Sequence, residues 1–162
     1  MRVLGIDPGT AIVGYGLVEE LEDGSLQALE YGVIRTLPAF KMPERLQTIH
    51  DELTALIRAC KPDVAAVEEL FFAKNVTTAM TVAQGRGVIL LTLQQAGLPI
   101  YEYKPNMIKQ SVSGYGGAAK PQMQEMVRVL LNLESIPKPD DAADGLAIAI
   151  AHINYAPYHA LE

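Results

Sequence analysis

Tryptophan is absent from this 162-residue chain, cysteine occurs once, and aromatic residues make up only 6% of it. A lone thiol, Cys60, excludes an intramolecular disulfide and a thiolate zinc site. It falls on the apolar face of a predicted helix and is expected to be a buried core residue. Few aromatic rings beside a hydrophobic fraction of 49% imply an aliphatic core of Ala, Val, Leu and Ile. No apolar run reaches the length of a membrane span, and no charged-then-apolar leader opens the sequence. A cytoplasmic protein that contacts no membrane is therefore expected. Repeats, linkers and low-complexity tracts are missing as well, so residues 1–162 read as one domain with a real hydrophobic core.

Positive charge is also in short supply, with a formal net charge of −6. Its distribution is uneven. Residues 1–69 carry 6 basic and 12 acidic side chains, and residues 139–162 carry 0 and 4. Residues 70–138 carry 7 basic side chains (Lys74, Arg86, Lys104, Lys109, Lys120, Arg128, Lys138) against 3 acidic ones. A basic surface beside an acidic pocket fits that pattern.

Three strand-like stretches come first, over 2–7, 13–20 and 25–36. Gly14 and Gly16 interrupt the second, and Asp23-Gly24 makes a hairpin turn before the third. Pro43 starts a helix with Leu46, Ile49, Leu53, Leu56, Ile57 and Cys60 on one face, ended by Lys61-Pro62. "DVAAVEEL" (63–70) reads as a short buried strand reached by a parallel crossover. A long helical pattern over 76–96 and a strand over 98–103 follow. A short helix spans 105–111, and "SGYGGAAK" is the most flexible-looking piece of the chain. Lys120 to Glu134 is helical, and the closing segment "PKPDDAADGLAIAIAHINYA" is a helix apolar nearly all round beyond Asp144, hence buried. The order predicts an α/β fold: a mixed sheet, antiparallel at its start and parallel in its continuation, with flanking helices.

Four acids sit against apolar neighbours. Asp7 ends the first strand, and Glu68 lies near the end of the fourth. Asp141 and Asp144, three residues apart at the start of the last helix, project from one side. If strands one and four are parallel neighbours, Asp7 and Glu68 emerge at the carboxyl edge of the sheet, where α/β folds place ligands. A last helix docked there brings Asp141 and Asp144 alongside. Clustered carboxylates need cations, and oxygen-only ligation selects Mg²⁺ or Mn²⁺. Two such ions, about 3.5–4 Å apart, can drive in-line phosphoryl displacement. Asp7 has an ordinary alternative as an Asx-turn cap before Pro8-Gly9. Asp140 is read as the N-cap of the last helix, following Pro139. His50, His152 and His159 show no metal-ligand spacing and are expected in surface or satisfied-core roles.

"LGIDPGT...GYG", "VEELFFAKN", "QGRGV", "IKQSVSGYGGAAKPQMQEMV" and "DDAADGLAIAIAH" resemble, in order and over nearly the whole chain, the RuvC family of bacterial Holliday-junction resolvases. The resemblance implies an RNase H-like fold with a mixed five-stranded sheet. It implies a homodimer that nicks a four-way DNA junction symmetrically, with two Mg²⁺ per active site, Mn²⁺ being able to substitute. The family's acidic quartet matches Asp7, Glu68, Asp141 and Asp144. Its DNA-lining lysines match Lys109 and Lys120, and its junction-stacking aromatic matches Phe71. Phe72 beside it leaves open which Phe inserts, and Lys74 joins them as a DNA contact. Residues 75–96 match the dimer helix, and Gly114, Gly116 and Gly117 would let their loop follow the DNA backbone. A branch-migration helicase complex is the implied partner. The "GIDPGT" element is also similar to the phosphate turn of actin and hexokinase-like ATPases, but no second such turn is present. An RNase H-like nuclease acting on RNA precursors is the nearer alternative.

Overall fold

Strand β1 (Arg2–Asp7) carries two side-chain sets that point opposite ways, and the architecture follows from them. Leu4 and Ile6 share a buried cluster with Ile49, Leu53, Ile89 and Leu93. Val3 belongs to a second cluster with Leu146 and Ile150, and Gly5 and Asp7 follow it onto that face. A strand buried on both faces demands helices on both.

The computed structural model describes residues 1–70 and 76–159. After β1 come β2 (Ile12–Glu20), β3 (Leu26–Arg35), α1 (Met42–Cys60), β4 (Val64–Glu68) and α2 (Val76–Gln95). Then follow β5 (Ile100–Tyr103), α3 (Pro105–Ser113), α4 (Lys120–Leu130) and α5 (Asp140–His159). The five strands lie in the order β3-β2-β1-β4-β5. β1 runs antiparallel to β2 and parallel to β4, β2 antiparallel to β3, and β4 parallel to β5. This is the mixed sheet expected from the sequence. α1 and α2 cover one face, while α3, α4 and α5 cover the other.

Local chemistry explains the boundaries. At the β2–β3 hairpin Gly24 takes φ 81°, while the Asp23 carboxylate accepts bonds from the Ser25 backbone N–H (2.9 Å) and hydroxyl (2.6 Å). Pro43 opens α1, and Glu44 accepts a 2.7 Å bond from the Lys41 backbone N–H. Lys61, left-handed at φ 48°, closes that helix. Side chains of α5 from Ala142 to Ile153 are buried except Asp144, as a helix apolar nearly all round requires.

Several expectations need correction. Gly14 and Gly16 do not interrupt the second strand; β2 runs through both, because the face they share lies under α5. α4 stops at Leu130 rather than Glu134, since Asn132 takes φ 51° and turns the chain. Cys60 is half-buried, at the rim of the α1–α2 cluster rather than inside it. Asp140 is the first residue of α5 and not its cap: the Pro139 carbonyl accepts the Ala142 N–H at 2.9 Å. Among the described residues one helix, α2, is long and apolar enough to cross a membrane by length and composition, contrary to the expectation that no segment is. It packs Ile89 and Leu93 into the domain core, and its Arg86 pairs with Glu102 of β5.

Candidate active site

Parallel register between β1 and β4 pairs Ile6 with Val67, so the next residues, Asp7 and Glu68, leave the sheet side by side at its carboxyl edge. Period-2 alternation turns both toward the face that carries α5. Three glycines of the sheet let α5 approach that face. A Cβ on Gly14 would overlap the Asp141 carbonyl, and one on Gly16 would lie 2.6 Å from the Leu146 nitrogen. One on Gly5 would lie 2.5 Å from the Ala149 nitrogen. The N-terminal turn of α5 is thereby seated against β1 and β2, and its acids reach Asp7.

Carboxylate oxygens of Asp7, Asp141 and Asp144 all lie within 4.8 Å of one another. Glu68 stands outside that tight trio. It lines, with Asp7, Asp144, Lys109, Lys120, Ile108 and Met123, an open cavity of about 310 Å³. The acidic quartet expected from the sequence is thus brought together as three close carboxylates plus Glu68 beside Asp7.

Burial and mutual repulsion leave their mark on these groups. Burial, then the charges of Glu68, Asp144 and Asp141, push the Asp7 pKa up to about 8, against a smaller opposing pull from Lys120. Glu68 is raised by burial and by Asp144, while a hydrogen bond with Asp7 and the Lys109 charge restrain it. Asp144 is also raised by burial, against the attraction of Lys120. Protons stand here in place of cations: a site that holds its acids partly neutral without a metal is chemically suited to bind one. The all-oxygen donor set fits a hard divalent ion.

Lys120, at the start of α4, places its Nζ 3.3 Å from Asp144 Oδ2 and 3.8 Å from Asp140 Oδ2. Burial alone would lower its pKa, but these carboxylates prevail and the net shift is upward. Lys109 of α3 lines the same cavity. Phe71, Phe72 and Lys74 lie outside the described residues.

Sequence reasoning missed four participants. Asp140 reads as a helix cap, yet its carboxylate bridges Lys138 (2.8 Å) and Lys120; its spacing of four from Asp144 was the available signal. Arg86, inside "QGRGV", donates from Nε to the Glu68 carbonyl at 3.3 Å while its terminal nitrogen pairs with Glu102, bracing the end of β4. Gln110 and Ser113 hold the loop whose sequence looks most flexible. Gln110 donates to the Gly114 carbonyl (2.9 Å) and accepts from the Gly116 N–H (3.0 Å), and Ser113 donates to the Tyr115 carbonyl (3.1 Å). The histidines behave as expected where described. His50 Nδ1 lies 2.9 Å from Thr92 Oγ1, and His152 is buried with Nδ1 2.8 Å from the Tyr103 hydroxyl.

Comparison with known proteins bears on this arrangement. Residues 3–152 match the family model described as crossover junction endodeoxyribonuclease RuvC. The chain is 58% identical over 157 residues to the protein of that name from Chloroflexus aggregans, covering 97% of this chain and 95% of the relative. It is 59% identical over 150 residues to the one from Heliobacterium modesticaldum, covering 93% and 92%. The solved Thermus thermophilus RuvC structure superposes with a TM-score of 0.90 at 37% identity, covering 98% of this chain and 97% of that one. A second T. thermophilus RuvC structure, in complex with a Holliday junction substrate, gives 0.88 at 34% identity, covering 98% and 96%. The fold is therefore RNase H-like.

Proposed function

The chain belongs to the RuvC family of crossover junction endodeoxyribonucleases, and on that premise we propose how its own residues do the work. It is a nuclease that resolves Holliday junctions in DNA recombination and repair. Asp7, Glu68, Asp141 and Asp144 hold divalent cations, two Mg²⁺ per site, with Mn²⁺ able to replace them. The observation that carries this reading is the trio of carboxylates within 4.8 Å at the sheet edge, with Glu68 beside Asp7. When bound, such ions stabilise charge on phosphate oxygens and make water a better nucleophile.

The residues themselves have definable tasks. Asp7 must give up the proton that burial and its neighbours favour before the cluster can take a cation. Were Asp144 to hold a cation, Lys120 would keep Asp140 as its carboxylate partner and could turn to a phosphate. Lys109, lining the same cavity, neutralises phosphate charge there. Phe71, with Phe72 and Lys74, engages the opened junction centre.

A homodimer supplies two such sites at fixed separation, which is what paired symmetric nicks need. Val76, Met80 and Leu91 on the outer side of α2 leave most of their surface exposed, as a helix awaiting a second copy would. Four-way junction DNA is the substrate, a branch-migration helicase complex the working partner, and the cytoplasm the compartment. Residues 1–162 act as a single nuclease domain.

The test is cleavage of a labelled four-way junction beside a linear duplex of the same sequence, with Mg²⁺ or EDTA, by the wild type and by Asp7→Asn. Symmetric nicks on the junction alone, lost with EDTA and in the variant while junction binding persists, are expected. Equal cutting of both DNAs, or cutting that survives EDTA, would overturn the reading.

A further inference from the structure

The loop between α3 and α4 presents a side chain that the active site as described does not use. Tyr115 is 64% exposed, and its ring lies over Gly117, where an added Cβ would come within 2.8 Å of the phenol oxygen. An exposed tyrosine on a mobile tip would carry no message. This one is held from behind: its N–H donates to Ser113 Oγ at 3.3 Å, and its carbonyl accepts from Ser113 Oγ at 3.1 Å and from the Ala118 N–H at 3.1 Å. On either side, Gly114 and Gly116 are clamped by Gln110. The backbone is fixed, and the ring lies against Gly117 with most of its surface in solvent.

The loop also lies close to the chemistry. It doubles back along α3, so that a Cβ on Gly116 would sit 3.4 Å from the Asn106 carbonyl. Asn106 follows Pro105, which lines the acidic cavity with Lys109 and Lys120. Tyr115 thus sits on the loop that joins α3, which carries Lys109, to α4, which carries Lys120, and both lysines line the acidic cavity. This stretch of chain has a consistent charge: from Tyr103 to Gln124 it holds Lys104, Lys109 and Lys120 and no carboxylate, in a protein whose net charge is −6. A cationic segment with a held, exposed aromatic ring suits a nucleotide strand, whose phosphates meet the lysines and whose base offers a face to the ring.

We infer that Tyr115 is a DNA-contacting residue, whose ring stacks on a base of the strand entering the cleft. This rests on the reading of the chain as a junction-binding nuclease and adds a stacking contact on the α3–α4 loop. It makes Tyr115 a determinant of junction affinity, separate from the carboxylates that carry the reaction.

Because the chain has no tryptophan, Tyr115→Trp places a single indole reporter at this position. Its emission is followed as a four-way junction is added in EDTA, while the anisotropy of a fluorescein on a distal junction arm reports binding independently. Tyr31→Trp, on β3, is the control reporter. Strong quenching of the indole emission of Tyr115→Trp in step with the anisotropy rise, with little change in the control, is expected. Tyr115→Ala should weaken junction binding by about five- to a hundredfold, the range for losing one base–aromatic stack, and Tyr115→Phe should bind like the wild type. An unchanged indole signal from Tyr115→Trp while anisotropy shows binding overturns the contact and leaves the nuclease reading intact. Tyr115→Phe as weak as Tyr115→Ala overturns stacking, because the hydroxyl would then carry the interaction. Absence of any anisotropy rise with the wild type would instead break the junction reading itself.

Discussion

Gly14 of β2 is empty where Asp141 of α5 needs room: a Cβ at residue 14 would overlap the Asp141 carbonyl oxygen and lie 2.6 Å from its carbonyl carbon. Since Gly14 also pairs with Asp7 across the β1–β2 ladder, one missing methyl couples two carboxylates of the acidic cluster. Gly14→Ala is expected to push the first turn of α5 outward. A cost of about 1–3 kcal/mol, as for overpacking a tight contact, should show in urea denaturation. Junction cleavage should fall by far more than junction binding, because the misplaced groups are the ones proposed to hold metal. Cleavage at the wild-type rate would show that α5 can seat itself without this glycine.

A second expectation concerns pH. Asp7 titrates near 8 in the metal-free fold, well above an ordinary aspartate. Between about pH 4 and 8 the folded state thus binds a proton that the unfolded chain has released, so stability falls as pH rises through that window. Asp7→Asn removes the dependence and should raise stability at pH 8 by on the order of a few kcal/mol at most, seen as a higher melting temperature. Adding Mg²⁺ at pH 8 should stabilise the wild type and do little for the variant. Thermal melts in EDTA from pH 5 to 8.5, and at pH 8 with Mg²⁺ in place of EDTA, check both; a wild-type EDTA curve as flat as that of the variant would contradict the assignment.

Asp140 offers a cleaner separation of chemistry from folding. Its carboxylate is exposed and shared by Lys138 and Lys120, so Asp140→Asn should leave the melting temperature unchanged. With no second carboxylate to hold Lys120 at the cleft mouth, single-turnover cleavage should slow severalfold at saturating enzyme, with Asp140→Glu restoring most of it. A variant that cuts at the wild-type rate would remove Asp140 from the site.

Lys109 and Lys120 should also be visible in salt dependence. If each contacts one phosphate, replacing either by Ala reduces the slope of log K against log[salt] by about 1. Junction binding measured from 50 to 300 mM NaCl provides the slope. Parallel lines for wild type and variant would assign that lysine to the protein's own carboxylates instead.

Much of this site was legible as sequence. Alternation of apolar residues in "RVLGID" and "VAAVE" is local, and it assigns Asp7 and Glu68 to the ends of buried strands without knowledge of anything distant. The three-residue spacing of Asp141 and Asp144 on one helix side is equally local. Asp140 was not legible, because its role depends on where Lys120 arrives from another helix, and a Pro-Asp pair before a helix has a ready explanation as a cap. Gly14 and Gly16 look like breaks in a strand, since glycine weakens an isolated strand; only the helix lying across them explains why they are there.

By itself, then, the sequence determined the elements, the mixed α/β class and the identity of the acids, because each of these is written in periods of two or a few residues along the chain. Tertiary structure decided the rest. The β1–β4 register set Asp7 beside Glu68, the glycine-lined seat of α5 brought Asp141 and Asp144 within reach of Asp7, and α4 delivered Lys120 to Asp144. Each of those approaches is a meeting of segments remote in sequence, settled by which side chains are small enough to let two backbones come together.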